Sequence, residues 1–574
     1  MRWSDRPTIV MQSRPWLRHY DSGIPETLAP YPRTTLVEVV RSTVQERPHH
    51  PAILFKGRAV SYAELDRAST ALAAALASDG VSKGDRVALV LPNCPQFVIA
   101  QLAIWKAGGI VVPLSPVYTE RELETSLRDA GATIVVCLTR FYEKVNAVRA
   151  KTSLRRVVAT NIKEYFPPSL RVLFTLLRER KDGHRVSLAD GDRWMADLIR
   201  DGAQAAAPTV SLSPDDPAVI LASGGTTGTP KGVVGTHRSY IQSGIQLRRW
   251  TGALCAEWTD AILLPLPLFH VYANVGVQAM ALVGRNPLAL VPNPRDLDDL
   301  LSTIRKVRPV FFTAVPTLFA ALLNHRDVQS GRADFSSIKV SFSGAAALMA
   351  ETKRRFEELT GVRIIEGYSL TEAMMACLAN PLLGTAKIGS IGLPLPDVNV
   401  RIVDSDDPMR LLEPGEVGEV IVQAPQLMTG YWNNAAETEL VLRTGPSGGE
   451  WLYTGDLGYI DQDGYVFLVD RKKDLIKTSG SQVWPREVEE VLAAHPAVAE
   501  VGVAGVRDEL KGELVKAWIV LRPGTQATVD ELRAWCRQRL APYKVPAQIE
   551  FRADLPKTMV GKVLRRALAV DQPA

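Results

Sequence analysis

Residues 222–232 read ASGGTTGTPKG and stand directly behind a short apolar run, Ala218 to Leu221. Ser223, Gly224, Gly225, Thr226, Thr227, Gly228 and Thr229 come in close succession, and Lys231 follows. Glycines let a backbone turn tightly and bring its N–H groups against an anion with no Cβ in the way. The hydroxyls add donors for phosphate oxygens, and the lysine supplies a compact positive charge. The segment has the makings of a polyphosphate cradle. It is not a Walker A loop, which puts Gly before the lysine and Ser or Thr after it. Here Pro230 precedes Lys231 and Gly232 follows. Four or five such residues would be an ordinary surface turn, but eleven in this order behind a strand argue for a site.

The segment resembles the signature loop of the adenylate-forming superfamily, which comprises acyl-CoA synthetases, luciferases and nonribosomal-peptide adenylation domains. The double glycine in SGGTTG is most similar to the long-chain fatty acyl-CoA synthetase branch. The resemblance implies that Ser223, Gly224, Gly225, Thr226, Thr227, Gly228 and Lys231 contact the phosphates of ATP, with Thr226 and Lys231 serving catalysis. Further segments match in superfamily order. Residues 343–348, SGAAAL, imply an adenine pocket at Gly344, Ala345 and Ala346. Taken alone they read as an alanine-packed strand–helix turn.

Residues 366–372 read EGYSLTE. The resemblance assigns Glu366, Gly367, Tyr368 and Thr371 to the nucleotide, and Glu372 to Mg2+, with Thr226 as a further metal contact. A carboxylate beside a triphosphate is costly unless a cation lies between them, and Mg2+ is commonly held by one or two carboxylates plus substrate phosphates. Most relatives have Gly where this chain has Ser369. Residues 453–456, YTGD, stand before an expected hairpin, and Asp456 is implied to accept both ribose hydroxyls, with Arg471 as its partner. His270 follows an apolar strand; it is implied to stand beside the acyl pocket, although a lone His in such company is as often a packing residue.

Near the C-terminus, residues 555–566 read LPKTMVGKVLRR. Lys562 matches the catalytic lysine that bridges the substrate carboxylate and the nucleotide, where a cation offsets charge repulsion and stabilises the transition state. Residues 476–490 are similar to the segment lining the pantetheine path of coenzyme A, with Gly480 near the thiol's route and Lys473 at a hinge. The reading is a long-chain fatty acid–CoA ligase using ATP, Mg2+ and coenzyme A in two half-reactions. Its rivals are a ligase for a medium-chain or aryl acid, and an acyl-adenylate ligase serving a carrier protein. A non-catalytic nucleotide-binding module is disfavoured by Lys562, Glu372 and Asp456 together.

The elements that must hold these residues are legible in outline. A chain of 574 residues exceeds one hydrophobic core. An Ala-rich helix is expected from Tyr62 to about Ser78, a strand over Arg86–Leu91, a helix over about Gln96–Ala107 and a strand over Gly109–Pro113. That alternation indicates parallel α/β layers, and it returns at Ala261–Leu264, Val310–Thr313 and Ile338–Ser343. Short strands between about Val400 and Asp470 indicate a smaller β-rich lobe, and Asp470–Asp474 an exposed connector. The expected fold is therefore α/β: a multi-lobed N-terminal domain over 1–470, binding ATP and acid, and a small mobile α+β C-terminal domain over 471–574.

A net charge of +5 is small for this length and argues against a nucleic-acid partner. Five scattered cysteines read as reduced thiols in a cytoplasmic protein. The first residues lack the apolar stretch of a signal peptide, and no apolar run approaches a membrane span. Residues 161–181, NIKEYFPPSLRVLFTLLRERK, stand apart from the α/β rhythm. Tyr165, Phe166, Leu170, Val172, Leu173, Phe174, Leu176 and Leu177 are expected to enter a lipid interface, with Arg171, Arg178, Arg180 and Lys181 on anionic headgroups. That would make the protein peripheral at the inner face of the membrane. A homodimer, and the acyl chain length, are left open.

Overall fold

The structure, a computed structural model, describes residues 14–223, 230–478, 481–508, 512–557 and 563–570. The expected elements form where local chemistry favours them. Ser61 accepts the backbone N–H of Glu64 and starts the helix Tyr62–Ser78, as an N-cap should. Pro95 opens the wholly buried helix Pro95–Lys106, where a missing N–H costs nothing. The strands Arg86–Val90 and Ile110–Pro113 pair in parallel, and both are apolar on two faces because helices cover them.

Among the described residues the strands make three sheets. The eight-stranded sheet is parallel from Pro217–Ala222 outward through Ile110–Pro113 and Arg86–Val90. On its other side Pro217–Ala222 pairs antiparallel with Gly232–Thr236. The strands on either side of the Gly/Thr-rich segment are thus antiparallel partners, whereas a Walker A loop stands between a strand and a helix.

The fourteen-stranded sheet changes character along its width. The strands Ile262–Leu264, Phe311–Ala314, Val340–Ser343 and Ile364–Leu370 run parallel. From Ile364–Leu370 onward, pairing with Met375–Ala379, Ser390–Pro394, Val466–Arg471 and Glu450–Ile460 is antiparallel. The α/β layer and the β-rich lobe are therefore one continuous sheet. The third sheet is built wholly from residues 476–551 and has its own apolar core, including Val488, Val503, Ile519 and Leu532.

Three sequence expectations need correction. YTGD does not precede its hairpin: Asp456 lies inside the strand Glu450–Ile460 and pairs in register with Arg471. Asp470–Asp474 is not simply an exposed connector. Asp470 is buried, accepts the Arg486 backbone N–H at 2.9 Å and is paired with Arg565 at 2.6 Å. Residues 161–181 form a turn and the helix Pro168–Leu177, but they do not turn all their apolar side chains outward. Phe166 is buried between Phe55 and Phe174, Phe174 packs on His184, and Tyr165 and Leu170 rest on the main core. Pro167 and Pro168 set the turn that folds Phe166 inward, a tertiary choice that apolar content alone does not announce.

Candidate active site

The candidate residues converge on the line where the large sheet passes from parallel to antiparallel pairing. Tyr368 and Gly367 come from Ile364–Leu370, Ser343 and Gly344 from the end of Val340–Ser343, Asp456 and Arg471 from the facing pair of the β-rich lobe. A carboxyl-end crevice is where open α/β sheets place ligands, because strand ends and loops diverge there.

Tyr368 Oη donates to Asp456 Oδ2 at 2.5 Å, and Arg471 Nε lies 3.1 Å from Asp456 Oδ1. Burial, then the Asp456 charge, hold the Tyr368 phenol far above its ordinary range. It therefore stays a donor, and its ring is fixed as a flat face. Gly344 packs closely: a Cβ there would stand 3.0 Å from the Tyr272 ring, which would have to shift by a few tenths of an ångström. Ala345 sits at φ +69, a left-handed conformation that a non-glycine residue rarely adopts, and Ala346 is half-buried beside it. Glu366 is half-buried, and the desolvation raises its carboxyl above the usual range, with Lys353 Nζ 4.0 Å away.

The phosphate end is assembled across the two larger sheets. Ser223 and Lys231 close the base of the hairpin loop, with Ser223 N–H donating to Lys231 O at 2.8 Å. Lys231 Nζ is 2.5 Å from Glu437 Oε2 and 5.0 Å from the centre of the Tyr431 ring. Tyr431 Oη in turn donates to Glu372 Oε1 at 3.0 Å. Burial, then the Glu372 charge, raise the Tyr431 phenol well above its ordinary range. One tyrosine thus links the candidate phosphate lysine to the candidate magnesium carboxylate. Thr371 is half-buried next to Glu372. Sequence reasoning missed Tyr431 and Glu437, because nothing near residues 430–437 carries a phosphate or metal signal of its own.

Gly224, Gly225, Thr226, Thr227, Gly228, Gly480 and Lys562 lie outside the described residues. Lys473 is exposed and stands two residues after Arg471. Among the described residues no group of three or more His, Cys, Asp or Glu side chains could hold a metal ion. Glu372 alone fits a Mg2+ ion whose remaining ligands are phosphate oxygens and water.

Behind Tyr368 lies a narrow cavity of about 30 Å³ with an overwhelmingly apolar wall. It reaches from Gly344, Gly367 and Tyr368 to Leu247, Thr251 and Met280. Segments 270–278, 313–319 and 366–376 contribute Tyr272, Val277, Thr313 and Met375. Leu247 and Thr251, from the helix His237–Thr251, were not foreseen. The wall carries Tyr272 where sequence reasoning placed His270. His270 Nδ1 accepts the Tyr272 backbone N–H at 3.3 Å, and desolvation lowers its pKa to about 4. It is a neutral residue that orients the start of the buried helical turn Tyr272–Gln278.

A flat aromatic slot, a carboxylate–guanidinium pair, a lysine-bearing hairpin and an adjoining apolar cavity define a nucleotide-dependent enzyme acting on an apolar acid. The chain belongs to the AMP-binding enzyme family, which it matches over residues 40–432, with the AMP-binding enzyme C-terminal domain matched over residues 487–562. It is 40% identical to a long-chain-fatty-acid--CoA ligase of Bacillus subtilis (strain 168), covering 98% of this chain and 99% of the relative. It is 35% identical to the enzyme of the same name from Escherichia coli O157:H7, over 96% and 97% of the two chains. The fold is similar to that of ATP-bound MatB from Rhodopseudomonas palustris, with a TM-score of 0.81, 28% identity and coverage of 94% and 99%.

Proposed function

We propose that this protein is a long-chain fatty acid–CoA ligase. The observation that carries the reading is the apolar cavity opening beside Tyr368, Gly344 and Gly367. Its apolar lining marks where an alkyl chain would enter beside the nucleotide residues, once flexible side chains such as Met375 and Met280 give way. Each methylene buried there contributes about 0.8 kcal/mol, so a long chain gains most from such a wall.

In the first half-reaction the fatty acid carboxylate attacks the α-phosphate of ATP, forming acyl-adenylate and releasing pyrophosphate. Lys231 and the loop hydroxyls hold phosphates, Tyr368 and Gly344 flank the adenine, and Asp456 with Arg471 holds the ribose. Glu372 and Thr226 would hold Mg2+, which when bound screens the charge of the triphosphate. Lys562 offsets repulsion between the carboxylate and the α-phosphate. Attack at phosphorus needs little covalent help from the protein, so positioning and electrostatics carry the step.

In the second half-reaction the coenzyme A thiolate attacks the acyl carbonyl, the carbon–oxygen bond to AMP breaks, and AMP leaves. Residues 1–470 form the ATP- and acyl-binding domain in this reading. Residues 471–574 rotate about Lys473, bringing the Gly480 segment to the thiol path. Peripheral contact with a membrane through residues 161–181 belongs to the same reading, and assembly as a homodimer is compatible with it. The test is coenzyme A-dependent AMP formation across acids from acetate to palmitate, with a cinnamate-type acid included. Long chains should give the highest specificity constants. Equal constants for acetate and palmitate, or preference for the aryl acid, would overturn the reading.

A further inference from the structure

The helix Pro168–Leu177 leaves an apolar surface uncovered that the ligase reaction does not use. Val172, Leu173, Leu176 and Leu177 are 60%, 52%, 76% and 63% exposed. At about 100° per residue, these four side chains fill one continuous arc of about 140° on the helix. Leu170 and Phe174 occupy the adjoining inward arc and pack on the core. Arg171, Thr175 and Arg178 are exposed on the remaining flank. The helix therefore has three faces: one anchored, one greasy and bare, one basic.

The surrounding charge points to the occupant. Residues 161–185 contain six basic side chains against three acidic ones. All three acids are engaged within the protein, Asp182 with Arg178 at 3.1 Å. Glu179 is buried and paired with Lys163 at 2.6 Å, and Glu164 accepts the Thr160 hydroxyl and the Asn161 backbone N–H. Arg171 on the helix, and Arg180, Lys181 and Arg185 just beyond its C-terminal end, are all exposed. An exposed aliphatic arc with a basic border is the pattern of an interfacial helix that sinks its apolar side below anionic headgroups. At ten residues it is far too short to span, and among the described residues no helix is long and apolar enough to cross a membrane.

We propose that this face docks the protein on an anionic lipid bilayer, with Val172, Leu173, Leu176 and Leu177 entering the acyl–headgroup boundary. Phe166 and Phe174 do not insert; they are the rivets that hold the helix to the sheet edge at Phe55. The inference gives the peripheral contact proposed above its face and its lipid chemistry. It is tested without turnover, so its failure leaves the ligase reading standing, and the reverse also holds.

The full chain is sedimented with vesicles of phosphatidylglycerol and phosphatidylcholine, and with phosphatidylcholine alone. Binding should favour the anionic vesicles and weaken as salt rises. The variant V172S/L173S/L176S/L177S should bind at least tenfold less, with unchanged Tm because its side chains are already in water. The variant R178Q/R180Q/K181Q should lose the preference for anionic vesicles. As an independent reading, L176W should shift its emission to the blue on adding anionic vesicles. The proposal falls if the wild-type protein stays in the supernatant, or if the quadruple serine variant sediments like wild type. It also falls if that variant unfolds, or if L176W emission does not move. Conversion of a dimer to a monomer by the serine variant, without lipid binding by the wild type, would assign the face to a second copy and overturn it as well.

Discussion

Replacing Glu437 by glutamine should tighten ATP binding, although the residue lies outside every motif that marks the nucleotide site. Lys231 Nζ is 2.5 Å from Glu437 Oε2, with 20% of the lysine side chain and 37% of the glutamate side chain exposed. A triphosphate that takes the ammonium must first part it from this carboxylate. A pair this accessible is worth about 0.2–1 kcal/mol, which corresponds to about a 1.4- to 5-fold lower Kd once it is gone. Glutamine should preserve the local helix, because Asn434 caps Ala435–Val441 through the backbone N–H of residue 437. The measurement is ATP titration by calorimetry, with KM for ATP as a second reading, at low and at high salt. Screening weakens an exposed pair, so the wild-type and Glu437→Gln constants should approach each other as salt rises. Weaker ATP binding by the variant at any salt would refute the reasoning. It would show that Glu437 aims the lysine at the phosphate and does not compete with it.

Lys562→Ala should lower adenylate formation about a hundredfold or more, while sparing thioester formation from supplied acyl-adenylate; equal loss in both assays would contradict rotation of the C-terminal domain. Gly276→Ala would bring a Cβ within 2.6 Å of Met375 Sδ and 2.9 Å of its Cε. The displaced thioether lines the proposed acyl cavity, so the palmitate-to-decanoate ratio of kcat/KM should fall, by about fourfold for each methylene excluded. An unchanged ratio would move the chain's path elsewhere. Acid should destabilise the fold early. Desolvation lowers His184, His237 and His270 to about 4, so the folded state keeps them neutral where an unfolded chain, with its histidines near 6.5, binds protons. Stability is therefore full above about pH 6.5 and is lost as pH falls toward 4, by at most about 1.4 kcal/mol per pH unit for each histidine. Glu164 and Glu366, raised by burial, oppose the trend in part. An apparent Tm that is flat between pH 7 and 5 would show that the three imidazoles are not held neutral.

The chemistry of this protein was legible in its sequence wherever function demands contiguous residues. A phosphate-binding loop needs glycines, hydroxyls and a lysine close together in sequence, so ASGGTTGTPKG could be singled out as the candidate. The Tyr62–Ser78 helix, with its Ser61 cap, and the buried strand Ile110–Pro113 are equally local, set by capping and by unbroken apolar runs. The Asp456–Arg471 pair could be named because both members sit in recognisable segments, although only the register of two antiparallel strands brings them 3.1 Å apart. Tertiary structure alone decided the rest. Tyr431 reaches Glu372 and Glu437 reaches Lys231 because the strand Gly430–Tyr431 pairs with Gly232–Thr236, a contact between residues some two hundred positions apart. The cavity wall joins Leu247, Met280, Phe311 and Leu378 from four separate elements, and no spacing in the sequence encodes their meeting. In residues 161–181 the composition showed that apolar side chains were abundant. Only packing against Phe55 and His184 separated those that anchor the helix from those left facing water, because burial belongs to the surface a side chain meets and not to the side chain itself.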